Sequence, residues 1–219
     1  MGDKIRWDVI FRRLKTALVA SPLPSVSWIA EKEGNPYRVL VSTMISLRTK
    51  DEVTLQAATR LFTEAPDPAA LAALPASRIS ELIYPAGFYK TKAENLKRTA
   101  EILVQKHRSG VPATIQELLE LPGVGRKTAN LVLNLGYGIK AICVDTHVHR
   151  ISNRTGWVVT RTPEETEQAL MKILPEKHWI EINEWLVRFG QQICRPASPF
   201  CSRCPIPEHC QRVGVVRSR

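Results

Sequence analysis

Leu121-Pro122-Gly123-Val124-Gly125-Arg126-Lys127-Thr128-Ala129-Asn130 decides how this chain is read. Upstream of it, residues 115–121 carry apolar side chains at helical spacing. The Pro-Gly-Val-Gly run breaks that helix, and apolar spacing resumes over 126–135. The segment reads as helix, tight turn, helix. Two glycines flanking one apolar residue permit positive φ and close approach of the backbone to a ligand. The amides and the positive dipole end of the second helix suit a phosphate. Gly123, Val124, Gly125, Arg126 and Thr128 would then grip a nucleic-acid backbone without reading bases. Gly-Val-Gly alone favours an ordinary helix–helix turn. On a chain with 31 Lys and Arg against 21 Asp and Glu, net +10, the full run points to DNA.

Lys127 stands in the first turn of that second helix. The dipole makes a cation unfavourable there and lowers the cost of losing its proton. A neutral amine attacks carbon and an ammonium does not. Most helix lysines are solvated surface groups; what singles out Lys127 is its place beside the clamp. A second constellation is Val144-Asp145-Thr146-His147. Asp145 follows the apolar residues 141–144 and precedes a helix covering His149 and Arg150. Its ordinary role is an N-cap, and spacing alone favours that role. A fixed carboxylate at the same place also stabilises positive charge on a sugar ring or handles protons for a lysine. His147 and His149 have no Cys or Glu pattern near them and read as packing residues.

The third constellation is Cys194-x6-Cys201-x2-Cys204-x5-Cys210, with Pro196, Pro199, Pro205 and Pro207 stiffening the loop. A fifth cysteine, Cys143, stands apart. An odd count without a secretory signal argues against a disulfide framework. Four thiolates suit zinc or a [4Fe–4S] cluster, and the single tight pair, Cys201 and Cys204, leans towards iron–sulfur.

The rest of the chain supports an all-α class. A stripe of Trp7, Ile10, Phe11, Leu14 and Leu18 predicts a first helix ending near Ser21-Pro22. Asn35-Pro36 and Asp67-Pro68 read as caps followed by proline at the first helical position. Further helices are expected over 51–62, 77–84, 91–107 and 179–192. Thr162 to Glu165 carries a capping-box pattern. No stretch alternates as a strand does. At 44% hydrophobic and 24% charged, the composition is globular and excludes disorder, collagen and coiled coil as global descriptions. No apolar run approaches the ~20 residues that span a bilayer. Residues 1–15 lack the apolar core of a secretory signal. A protein of the cytoplasm is expected, nucleoid-associated in a prokaryote, without membrane partners.

Together the LPGVGRKTAN motif, the Val144–His147 segment and the cysteine spacing resemble the endonuclease III branch of the helix-hairpin-helix DNA glycosylases, in the right order and over about residues 36–210. The resemblance implies two helical domains with an active cleft between them. Residues 29–139 would form a six-helix barrel carrying the hairpin, and 1–28 with 140–219 an iron–sulfur domain. It implies a monomeric, bifunctional repair enzyme acting on double-stranded DNA with damaged or abasic sites. An oxidised pyrimidine is flipped out, Lys127 attacks C1′, and β-elimination through a Schiff base nicks the strand, with Asp145 assisting. Cys194, Cys201, Cys204 and Cys210 would hold a [4Fe–4S] cluster that presents basic residues to DNA, with Arg195, Arg203 and Arg212 as candidates. Monofunctional mismatch relatives carry Ser or Tyr where this chain has Lys127. The family often has glutamine where this chain has Arg48, a longer and permanently charged donor to guanine edges. Phe88, in Gly87-Phe88-Tyr89, resembles a wedge residue that intercalates at the lesion; its ordinary reading is a core aromatic beside a helix cap. The alternatives are a mismatch- or alkylated-base glycosylase with specificity altered by Arg48, a non-catalytic metal-stabilised DNA-binding protein, and a zinc-dependent regulator.

Overall fold

Helices begin where local chemistry caps their first amides. In the computed structural model, which describes residues 5–219, Asn35 Oδ1 accepts from Tyr37 N at 2.9 Å and Asp67 Oδ1 from Ala70 N at 2.8 Å, each with proline following. Thr162 Oγ1 accepts from Glu165 N at 3.2 Å, but Glu165 returns its bond to Arg161 N at 2.7 Å, one residue before the cap. The described residues form helices and no strand. No helix among them is long and apolar enough to cross a membrane.

The chain divides into two units, each with its own core. One is Pro24–Ala141; the other joins the residues up to Leu23 with Ile142–Arg219. The expected boundary at 28/29 lay inside a helix. That helix, α2 (Ser25–Glu33), belongs wholly to the Pro24–Ala141 unit, and the periodicity reading missed it. It turns only Val26 and Ile29 inward as large apolar side chains, leaves Trp28 exposed, and ends on Gly34 in the left-handed region. Ser25 N and Oγ both donate to Asp51 Oδ1, fixing its start against α4 (Asp51–Glu64).

In the Pro24–Ala141 unit, α3 (Pro36–Ser46) is apolar nearly all round, with Val39, Leu40, Val41, Met44 and Ile45 buried, as a central helix must be. It packs against α2, α4 and the long α7 (Tyr89–His107). The short α5 (Pro68–Ala73) and α6 (Ala76–Ile83) lie on α7. Two further helices form the hairpin: α8 (Ile115–Leu119) and α9 (Arg126–Leu131). The helix expected to run to residue 135 becomes a π-helix at Val132–Gly136. Asn134 Oδ1 then accepts from Ala141 N at 3.0 Å and fastens the exit of the segment.

The other unit is built from both ends of the sequence. The stripe of α1 (Trp7–Leu18) buries against α10 (Thr146–Thr155) and α12 (Ile182–Gln192), around Val148, Ile151, Leu186 and Phe189; α11 (Pro163–Ile173) completes the layer. The helix expected from Trp179 starts at Ile182, after a 3-10 turn over Glu176–His178. Arg188 of α12 caps α1. Its buried guanidinium donates to Leu18 O at 2.6 Å and to Val19 O at 3.1 Å. These are carbonyls that a helix end leaves without intrahelical partners.

Candidate functional site

Leu121–Val124 is a tight turn closed by Val124 N to Leu121 O at 3.1 Å. Pro122 takes its second position and Gly123, at φ +76°, its third, the arrangement of a type II turn. The two glycines serve different ends. A Cβ on Gly123 would meet Asn95 Nδ2 at 2.7 Å. Gly125 has φ −98° and open space where a Cβ would lie. Only Gly123 needs its conformational freedom; Gly125 leaves its face open to solvent. Gly125 also precedes α9 as its cap residue and makes no side-chain cap bond. The amides of a first helical turn have no partner inside their helix, so the open face of Gly125 and the start of α9 together suit a phosphate oxygen.

Arg126 and Lys127 are half-buried in that first turn. Val124 and Thr128 depart from expectation: both are buried, Thr128 at 1% exposure. Their side chains anchor the hairpin in the core, and only their backbone amides are available to a phosphate.

Asp145 is the N-cap of α10, and Oδ1 accepts from both His147 N at 2.9 Å and Val148 N at 2.8 Å. Oδ2 accepts no bond among the described residues. The capping role and a chemical role therefore fall on different oxygens of one half-buried carboxylate. Lys127 belongs to one unit and Asp145 to the other. His149 Nδ1 meets Thr166 Oγ1 at 2.7 Å, and His147 Nδ1 lies 3.1 Å from Arg150 Nη2. Both histidines are packing residues.

Arg48 and Phe88 come together. The guanidinium lies 4.7 Å from the centroid of the Phe88 ring, and both residues are non-glycine at positive φ, +54° and +58°. Phe88 is 58% exposed, which removes the core-aromatic reading.

Cys194, Cys201, Cys204 and Cys210 line one cavity with Phe189, Ile193, Phe200 and Ile206. None is in a disulfide. Arg154 Nη1 donates to Cys194 Sγ at 3.3 Å and Arg212 N to Cys210 Sγ at 3.4 Å, the bonds that sulfur ligands of a metal group accept. Burial and the neighbouring thiols push Cys204 up to about 11, and burial raises Cys210. Four thiolates share such a cavity when a bound cation compensates them. No three His, Cys, Asp or Glu side chains among the described residues are arranged for a single ion. Four thiols on one cavity, two of them accepting N–H bonds, are the donor type that an iron–sulfur group takes. Arg195 and Arg203 stand over the Phe200 ring at 5.2 and 5.6 Å. Sequence reasoning missed a third, Arg219, at 4.2 Å. It is brought there by backbone bonds to Pro199 and Ser202. It also missed the buried Arg154, whose only signal is an arginine in line with the inward face of α10.

Residues 41–176 match the profile of the HhH-GPD superfamily of base excision DNA repair proteins. The chain is a member of that superfamily, in its endonuclease III branch. It is 51% identical to endonuclease III of Thermotoga maritima, over 86% of this chain and 91% of the relative. It is 35% identical to endonuclease III of Escherichia coli, over 81% and 84%. A solved endonuclease III–DNA covalent intermediate, trapped with an estranged adenine, superposes with a TM-score of 0.84 at 30% identity, covering 97% of each chain.

Proposed function

We propose that this protein excises oxidised pyrimidines from duplex DNA and cleaves the resulting strand through a Schiff base on Lys127. It is a base excision DNA glycosylase and AP lyase. The observation that carries the residue assignment is Lys127 in the first turn of α9, beside the open Cβ position of Gly125. A phosphate seated on those amides brings its own sugar to the amine.

The chemistry follows from an amine placed next to an acetal-like carbon. Nζ of Lys127 attacks C1′ as the glycosidic bond breaks, and the base leaves with the bonding pair and takes a proton. The sugar ring opens with a proton passing to O4′, which leaves a protonated imine between Nζ and C1′. That imine acidifies C2′. Loss of a C2′ proton expels the 3′ phosphate by β-elimination, and water hydrolyses the imine to free the lysine. Asp145 Oδ2 is the carboxylate that offsets positive charge on the sugar and exchanges these protons. A hydroxyl at position 127 would form no imine, which separates this reading from a monofunctional mismatch glycosylase.

The base is flipped from the stack at a cost of about a few kcal/mol, least for a damaged base. Arg48 enters the gap left by the base and Phe88 intercalates beside it. Cys194, Cys201, Cys204 and Cys210 hold a [4Fe–4S] cluster, whose contribution is to cross-link the end of the chain. Arg195, Arg203 and Arg219 then face the phosphate backbone from one rigid loop. The active form is a monomer.

Borohydride trapping tests the central step. Wild type and Lys127→Ala are mixed with duplex bearing an oxidised pyrimidine or an abasic site. A covalent DNA adduct is expected with wild type alone. No adduct on either substrate, or an undiminished adduct with Lys127→Ala, removes the assignment.

A further inference from the structure

One face of α7 carries a lysine where the pattern calls for an apolar residue. Lys92 lies in line with Leu96, Thr99 and Leu103, all buried, and is itself 8% exposed. An ammonium has three donors and no acceptor, and all three are used. Nζ donates to Ile45 O at 2.6 Å, to Leu47 O at 2.6 Å and to Thr49 Oγ1 at 2.9 Å. The Thr49 hydroxyl also accepts from Gly87 N at 3.1 Å. Gly87 tolerates no side chain, since a Cβ would sit 2.5 Å from Arg48 O. Lys92 thus joins the loop that carries Arg48 to the loop that carries Phe88.

Those loop tips are the costly part of the unit. Arg48 and Phe88 both adopt left-handed backbone, which crowds any residue that has a Cβ. Both are exposed and stacked on each other. Strain of this kind persists only where the surroundings over-determine it, and the Lys92 bonds do so. The same face of α7 continues to the hairpin. Asn95 packs on Gly123, and Thr99 Oγ1 donates to Pro122 O at 3.1 Å. One helix face holds both the stacked pair and the phosphate turn.

We propose that Lys92 is a positioning residue, locking Arg48 and Phe88 into one preformed wedge in register with the hairpin, so that the duplex is opened by a rigid Arg–Phe tooth. The proposal rests on the reading of the protein as a duplex base-excision enzyme. It gives burial of the charge a purpose: desolvation lowers the pKa of Lys92 to about 8, and a methionine of similar length would avoid that cost.

The test uses full-length Lys92→Met, Lys92→Arg and Thr49→Val against two substrates. One is duplex with an abasic site opposite 2-aminopurine, whose fluorescence reports unstacking of the orphaned base. The other is a single strand with an abasic site, which needs Lys127 but no wedge. For Lys92→Met, KM on duplex is expected to rise about tenfold or more, as misplacement of a positioned group does, with loss of the 2-aminopurine signal. Single-strand cleavage and duplex kcat stay within about twofold, the pattern of lost binding rather than lost chemistry. Lys92→Arg restores part of the duplex KM. Thr49→Val, which cuts the same junction from the loop side, reproduces the defect more weakly and serves if Lys92→Met does not fold. Normal duplex KM and fluorescence in both Lys92→Met and Thr49→Val overturn the proposal. So does an equal loss on single strand and duplex. A wild type inactive on both substrates overturns the enzymatic reading beneath it.

Discussion

Arg154 donates to Cys194 Sγ at 3.3 Å from a guanidinium that is itself buried, and its remaining bonds run to Arg195 O at 2.7 Å and Pro196 O at 2.8 Å. One side chain of α10 therefore holds both a candidate cluster ligand and the loop that follows it. Replacing Arg154 by methionine leaves two carbonyls without their charged donor. A loss of about 3 kcal/mol is expected, with iron retained at less than wild-type stoichiometry after gel filtration. Urea unfolding and an iron assay check this. A loss below about 1 kcal/mol with full iron would show the bonds to be incidental.

The hairpin glycines separate stability from binding. Gly123→Ala forces a side chain into left-handed backbone and into Asn95, and about 1–3 kcal/mol of stability should be lost. Gly125→Ala meets nothing within 4 Å and should leave stability within about 0.5 kcal/mol. Its methyl nevertheless occupies the face assigned to phosphate, so duplex affinity should fall. Thermal denaturation and fluorescence anisotropy decide the contrast. Equal affinity of Gly125→Ala and wild type would move the phosphate elsewhere.

Asp145 has two roles on two oxygens, and two substitutions part them. Asp145→Asn keeps an oxygen acceptor for His147 N and Val148 N, so stability should hold within about 0.5 kcal/mol. Asp145→Ala loses the cap, at about 1 kcal/mol. Excision should fall in both, because both remove the carboxylate charge. Single-turnover kinetics set beside the melting temperatures would expose a purely structural Asp145, through an Asn variant with normal rates.

Lys92 has a pKa of about 8 in the folded protein against 10.5 when exposed. Between those values the unfolded chain binds the extra proton, so stability rises with pH across the window and is level on either side of it. The cause is desolvation of the ammonium. Wild type should gain on Lys92→Met as pH climbs from 8 to 10.5. Duplex binding should run the other way, since neutral Lys92 has one donor fewer for the loops that carry Arg48 and Phe88. Parallel urea titrations of the two proteins isolate this group from other titrating side chains. A constant difference between them would place the pKa of Lys92 outside the window.

The hairpin, Lys127 and the cysteine set were legible in the sequence because each depends on local rules: a turn that needs Pro-Gly, a helix start, a spacing of thiols. Helix α2 was not legible, because it buries too few large side chains to show a period. Thr128 and Val124 were placed on the DNA side because motif position says nothing about which way a side chain turns. Residues that act at long range left the faintest marks. Arg154, Lys92 and Arg188 are charges at inward helical positions, and only the carbonyls brought to them by distant segments show why they are tolerated. Arg219 owes its place to backbone pairing with Pro199 and Ser202, which no pattern in the tail announces.

The pairing of α1 with α12 also governs the order in which a ribosome can complete the molecule. The central unit, Pro24–Ala141, is finished long before Leu186 and Phe189 are made. At ~5–20 residues per second, the stripe of Trp7, Ile10, Phe11, Leu14 and Leu18 waits on the order of ten seconds or more without its core. Once Ala141 is made, a nascent chain carries a complete central unit and a bare amphipathic helix ahead of it. That helix is where a chaperone would hold the growing chain, and where a premature stop before α12 would leave a product prone to aggregate.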